Sequence, residues 1–310
     1  MAARGGRESL LNMFDTDTPS GLKPFMLLAF PVTPLDVLLS AQHHAREEQR
    51  KAIKAAGPTW LPPSPSTKNT ALIRLGYVVL HSISFAALNR TEHRYVSSDL
   101  KDHPVGHQAW FHRHTSKFSV HAFMVGVCDG SAWEQRIRRA VTSFTVASSM
   151  TDLALAQAIN KAAIDVLVSM NGWTAGHRMG VMSLQPSPIS IEWMGGHDTT
   201  GADYITYIVS DRVASPPEYS QPYYSEAMMM MPHSFFMNEY RESRASVLST
   251  PPPPRSSLTL PPGPLLCNFN QLFKLDPPTL AAWARLLQRV PQAHLWLLQV
   301  RSAFSVAVLL

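Results

Sequence analysis

Cysteine is scarce in this sequence: Cys128 and Cys267 are the only two in 310 residues. Two thiols make no disulfide framework, which points to a reducing cytosolic or nuclear compartment. Charge is also thin, at 16% of residues with a net +5. The basic residues are scattered, and the densest group, Arg136, Arg138 and Arg139 in EQRIRR, reads as a solvated helix face. Neither an RNP nor a zinc-finger signature is present, so nucleic acid is not an expected partner. Long apolar runs are missing. The stretch Phe25 to Phe30 is too short for a span or a signal core, and Pro31 and Pro34 cut it off. A soluble, non-secreted protein with no membrane partner is expected. Walker loops, GxGxxG and repeats of fixed period are absent as well.

Apolar residues are plentiful at 45%, enough for a sizeable core, and the 25 prolines cluster at Leu61–Pro65 and Pro251–Pro254. Leu35 to Ala56 carries helical periodicity, and Gly57 to Thr70 reads as a Pro/Ser linker. Extended and helical signals then alternate. Ile73–Leu80, Phe118–Val127, Ile164–Val168, Ile189–Trp193 and Tyr204–Val209 read as strands. Ala132–Val141 and Asp152–Ala163 read as amphipathic helices, the second with Asp152 at its N-cap. This alternation predicts a parallel sheet covered on both faces, a Rossmann-like α/β domain whose ligands collect at the carboxyl ends of its strands. Beyond a second Pro-rich linker comes a βαβ pattern: strand Leu265–Phe269, helix Pro277–Val290 and strand His294–Val300. Asp276 is at the helix N-cap and Pro277 at N1.

Four stretches carry residues suited to chemistry. In DHPVGH, His103 and His107 are four apart on a helix face, but no Glu lies between them and no third ligand is suitably spaced, so no metal site is expected. His103, after a strand, is placed for proton transfer near neutral pH. SMNGWTAG follows the IDVLV strand and offers backbone amides and the Thr174 hydroxyl, or is an ordinary βα turn. Asp165, inside that strand, is either a functional buried carboxylate or a satisfied structural acid. WMGGHDTTGADY is a Gly-rich loop suited to close ligand approach. In NQLFK, Gln271 and Lys274 stand before a helix N-terminus, where N–H groups and the macrodipole favour an anion. Lys274 there is either a phosphate ligand or a solvated loop lysine.

In order, YVSSDLKDHPVGH, DVLVSMNGWTAGHR, SLQPSPISIEWMGGHDTTG, YIVSD, MPHSFF and CNFNQLFKLDPPTLAAWARLLQRVP followed by LWLL resemble the catalytic region of the O-linked N-acetylglucosamine transferases of the SPINDLY/SECRET AGENT type. The resemblance covers about residues 95–298. It implies a two-lobed, B-type glycosyltransferase fold, with the donor between Rossmann-like lobes. It also implies transfer of N-acetylglucosamine from UDP-GlcNAc to Ser and Thr of intracellular proteins, by direct attack with inversion and without a metal or other cofactor. Carried across, His103 matches a motif histidine at the acceptor site and Lys274 the lysine on the donor diphosphate. Gln271 matches its donor-contacting neighbour, and Thr199, Thr200 and Gly201 match the loop near sugar and acceptor. Asp165 stands where many relatives have His, which leaves it a weak candidate.

The departures set further expectations. Tyr77-Val78 recurs as Tyr95-Val96, as an insertion of about 18 residues, the offset between Val78 and Val96, would produce. Such an insertion would displace the strand leading to His103. After LWLL the resemblance stops, so residues 265–310 amount to the start of a nucleotide-binding lobe, with an apolar helix face left uncovered and negligible turnover alone. The expected organisation is a helical and linker segment (1–70), a Rossmann-like lobe (71–242, with 79–95 as the insertion), a Pro-rich linker (243–264) and the truncated second lobe (265–310). Alternatives are a non-catalytic acceptor-binding or regulatory fragment, and a GDP-fucose-dependent relative.

Overall fold

The computed structural model describes residues 27, 32–58, 60, 72–80, 117–236, 249–258, 260–270, 275–301 and 304–309. The chain divides into two compact units, one of Met1–Phe25 with Thr33–Glu239 and one of Met26–Val32 with Tyr240–Leu310.

The first unit opens with helix α1, Pro34–Ala56. Its start is a reciprocal capping box. The Thr33 hydroxyl accepts from the Asp36 amide while the Asp36 carboxylate accepts from the Thr33 amide at 2.7 Å, and Pro34 brings its preset φ to N1. Gly57, at φ +71°, ends it. The strands that follow are β1 Ile73–Val79, β2 Phe118–Met124, β3 Ser143–Val146, β4 Val166–Ser169, β5 Ile189–Glu192, β6 Tyr207–Asp211 and β7 Ala227–Met231. They form one sheet in the order β3-β2-β1-β4-β5-β6-β7, and every pairing is parallel. Strand order reverses between β1 and β4, which is where a doubly wound sheet opens a crevice at its carboxyl edge.

Alternation along the strands explains why both faces are covered. Val78, Phe123 and Leu167 point into a core with Ala45 and Ala52 of α1, with Leu155, Ala156 and Ile159 of helix α3 (Asp152–Lys161), and with Met179, Val181 and Met182 of the short helix α4 (Met179–Ser183). Tyr77, Val79, Ala122, Met124 and Val168 point the other way and pack on Ile137 of helix α2, Ala132–Ala140. Each fully buried large side chain, such as Phe123 or Leu167, contributes about 2–3 kcal/mol of transfer free energy.

Several expectations are sharpened or corrected. The N-cap of α3 is Thr151, whose hydroxyl accepts from the Ala154 amide; Asp152 is the first helical residue and instead meets the Arg178 guanidinium at 2.5 Å. Asp165 precedes β4 rather than lying inside it, and it is at the amino edge of the sheet. β3 and β7 carry too little pattern to be read from sequence: β3 is only four residues long, and β7 is AMMMM without alternation. The strand expected at Tyr204 begins at Tyr207, because Ala202–Ile205 closes a turn (Ile205 amide to Ala202 carbonyl, 3.3 Å).

In the second unit β8 (Leu265–Asn268) pairs in parallel with β9 (His294–Arg301), joined by helix α5, Pro277–Arg289. Asp276 is its N-cap, accepting from the Thr279 amide at 2.9 Å, with Pro277 at N1. A strand not expected from sequence, β10 (Phe304–Leu309), adds antiparallel to β9. No residue of α5 is buried, and Leu280 and Leu286 stand exposed on it.

Candidate functional site

The carboxyl ends of β4, β5 and β6 carry three loops, and they are tied together by their own side chains. After β4 the chain runs Met170-Asn171-Gly172-Trp173-Thr174. The Thr174 hydroxyl and amide both donate to the Asn171 carbonyl, at 2.6 and 3.0 Å, so this hydroxyl closes the turn. Gly172 and Gly176 take positive φ, at +47° and +78°. Trp173 is buried, and its indole N–H donates to the Thr200 carbonyl at 2.9 Å. His177 and His44 lie against its ring, with centroids 5.2 and 5.8 Å away.

The loop after β5 follows as Trp193 to Gly201. The Trp193 indole donates to the Phe235 carbonyl at 3.1 Å. Gly195 is required by close approach, since a Cβ there would meet the Asn171 backbone at 2.1–2.5 Å. Gly201 is required twice over. Its φ is +67°, and a Cβ would come within 2.2 Å of the Gln42 amide of α1. Helix α1 therefore presses directly on the end of this loop.

Thr199 and Thr200 are both buried and both turn toward one acid, Glu226, just before β7. Thr199 Oγ1 donates to Glu226 Oε2 at 2.7 Å, the Thr200 amide donates to Oε1 at 2.7 Å, and the Thr200 hydroxyl also donates to Oε1. Thr199 Oγ1 in turn accepts from the Gly201 and Ser225 amides, each at 3.1 Å. What this part of the loop can present to a ligand is therefore backbone, because its hydroxyls are spent internally.

Two further acids share the neighbourhood. Glu192 is wholly buried, and neither of its oxygens has a hydrogen-bond partner among the described residues. Burial pushes its carboxyl well above the usual range, and the charges of Glu226 and Asp198 push it further; the nearby Ser169 hydroxyl and Gly172 amide only temper the rise. Asp198 is raised to about 6, first by burial and then by Glu226, against the lowering effect of its own amide and that of His197. Asp211, at the end of β6, goes the opposite way. Its carboxylate accepts from the Ala214, Val213 and Phe235 amides at 2.8, 2.8 and 2.9 Å, which holds it below the usual range. Asp211 thereby fixes Phe235, which makes edge contacts with His197 at 4.9 Å between centroids.

Thr174, Thr199, Thr200 and Gly201 are brought to one edge of the sheet, linked through Trp173. Asp165 is not. Burial raises its carboxyl, but the Arg74 guanidinium and backbone amide outweigh that and hold it low, in a bidentate pair at 3.1–3.2 Å with a further amide bond at 2.8 Å. His103, Gln271 and Lys274 lie outside the described residues, as does the segment 81–95 that contains most of the repeated stretch. Glu192, Asp198, Asp211 and Glu226 were not singled out in the sequence. The signal that was available was an acid directly after an apolar strand (SIE, IVSD), a position that lands on the ligand edge of a parallel sheet. Among the described residues no group of three or more His, Cys, Asp or Glu could hold a metal ion. No helix among them is long and apolar enough to cross a membrane.

Comparison with known proteins places this geometry. Residues 67–249 and 243–308 match the profile of Glycosyl transferase family 41. The chain is 33% identical over 287 residues to the probable UDP-N-acetylglucosamine--peptide N-acetylglucosaminyltransferase SEC of Arabidopsis thaliana, covering 91% of this chain and 28% of that protein. It is 24% identical over 335 residues to the UDP-N-acetylglucosamine--peptide N-acetylglucosaminyltransferase of Caenorhabditis elegans, covering 71% of this chain and 29% of the relative. The chain thus spans less than a third of the length of these relatives. Its fold is similar to a solved Thermobaculum terrenum O-GlcNAc transferase carrying a Lys-to-Met mutation, with a TM-score of 0.60 at 21% identity over 95% of this chain and 52% of the other. The seven-stranded parallel sheet corresponds to a catalytic lobe of that B-type fold, and the chain belongs to glycosyl transferase family 41.

Proposed function

We propose that this chain carries the acceptor-side lobe, and the beginning of the donor lobe, of a protein O-N-acetylglucosaminyltransferase. The observation that carries the reading is the match to the SEC relative over 91% of the chain, which spans the three carboxyl-edge loops. In this reading a Ser or Thr hydroxyl of an acceptor protein attacks the anomeric carbon of UDP-N-acetylglucosamine directly. The bond to the diphosphate breaks and the configuration inverts. His103 stands at the acceptor and helps its hydroxyl proton leave. Lys274 offsets the charge growing on UDP and Gln271 contacts the donor, so that a lysine cation serves where other transferases use a metal. The backbone of Thr199–Gly201 borders the sugar, shaped from behind by Glu226. The nucleotide sugar and intracellular acceptor proteins are the partners, in cytosol or nucleus.

The test is a graft: residues 95–298 replace the corresponding stretch of the Arabidopsis relative, and the folded chimaera is given radiolabelled UDP-N-acetylglucosamine or GDP-fucose with a Ser/Thr peptide. Label transferred from the UDP sugar, and lost in Lys274→Met, is expected. Transfer from GDP-fucose would move the reading to fucosylation. A folded chimaera that transfers neither sugar would overturn the reading.

A further inference from the structure

We propose that Pro251–Pro254 together with Arg255 is a docking segment for a polyproline-reading protein domain, one whose groove is walled by aromatic side chains and rimmed by carboxylates. Four prolines in a row leave the backbone little choice. Each ring fixes φ near −65°, and each following ring disfavours the α region, so the sequence favours a left-handed polyproline II helix. The chain is accordingly without helix or strand from Pro251 to Pro254, and a 3-10 turn begins only at Arg255.

Every residue from Ser249 to Leu258 is exposed, so no part of the second unit covers the rings. The Pro254 carbonyl accepts from the Ser257 hydroxyl and amide at 2.7 and 2.9 Å, and the Pro261 carbonyl accepts from Arg255 Nη2 at 2.5 Å. At three residues per turn, Pro251 and Pro254 fall on one ridge, the P-x-x-P spacing that fits paired aromatic slots. The ordering entropy such a ligand would normally lose on binding is already lost in the unbound chain. Arg255 follows directly, and its planar fork retains several N–H donors beyond the one given to Pro261. A cation on one side of the core gives the ligand a direction, because only one orientation brings it to an acidic rim. A stiff spacer would use the same prolines but would have no need of an adjoining, exposed guanidinium.

The experiment uses the whole chain as an unlabelled titrant against two isotope-labelled probes, an SH3 domain and a WW domain, each with acidic residues beside its groove. Saturable micromolar shifts confined to the groove of at least one probe are expected. The double substitution Pro251→Ala/Pro254→Ala should weaken binding at least tenfold, and Arg255→Glu at least fivefold; all three residues are exposed, so far-UV circular dichroism should not change. Absence of saturable shifts with both probes overturns the proposal. So does binding that survives the proline substitutions.

Discussion

Glu226 takes the Thr199 hydroxyl at 2.7 Å, across 27 residues of sequence, and this bond decides what the loop after β5 can offer. The same carboxylate accepts both the amide and the hydroxyl of Thr200. A buried charge that satisfies three donors is costly to remove, because each donor is left without water or partner. Glu226→Ala should therefore lower unfolding free energy by about 3 kcal/mol and Glu226→Gln by about half as much, read from urea midpoints. An alanine variant as stable as the parent would show that the loop is held by something else.

Asp198 gives the fold a pH signature. Its folded-state carboxyl titrates near 6, above the ordinary value of an unfolded Asp, so its protonated form favours the native chain. That contribution is complete below the ordinary carboxylate range and is lost as pH rises through about 6. Asp198→Asn should flatten this slope. Compared with the variant, the parent should lose about 1–3 kcal/mol between pH 4 and pH 7. Parallel stability profiles for the two proteins would contradict the assignment.

Glycines in the site should differ sharply in tolerance. Gly195→Ala and Gly201→Ala each drive a Cβ into backbone at under 2.6 Å, whereas Gly130→Ala, at a φ of +64° close to the +67° of Gly201, meets nothing within 4 Å. Thermal melts should show a loss of about 2–4 kcal/mol for the first two and about 1 kcal/mol for the third. Equal losses at Gly201 and Gly130 would mean that backbone conformation, not contact, sets the cost there.

Trp173→Phe keeps the ring in its pocket but withdraws the N–H from the Thr200 carbonyl. A loss of about 1–2 kcal/mol is expected, along with faster amide exchange in Thr199–Gly201. Unchanged exchange would show that the indole does not brace the loop.

The parallel sheet was legible because β1, β2 and β4 are apolar on both faces, as strands between two layers of helices must be. Three acids, Glu192, Asp198 and Glu226, were not legible, because a carboxylate in sequence looks the same whether solvated or desolvated. Only the sheet shows that β5 delivers Glu192 into the interior beside Asn171-Gly172. The threonines illustrate the converse. As DTTG they read as hydroxyls offered to a ligand, and nothing local reveals that their acceptor is Glu226. Asp165 reads as buried within a strand, yet the actual boundary puts it beside Arg74 at the amino edge, where it pairs rather than serves the loops.

The ladder between β1 and β2 has an implication for the length of sequence that joins them. Ile73 through Val79 pair in unbroken register with Phe118 through Met124, which places Tyr77-Val78 in the sheet. Each of the two strands is held by a second neighbour as well, β4 beside β1 and β3 beside β2. Doubling the length of a flexible connection raises its closure cost by only about 0.6 kcal/mol. A sheet held in this way exerts little thermodynamic pressure on the length of sequence between β1 and β2.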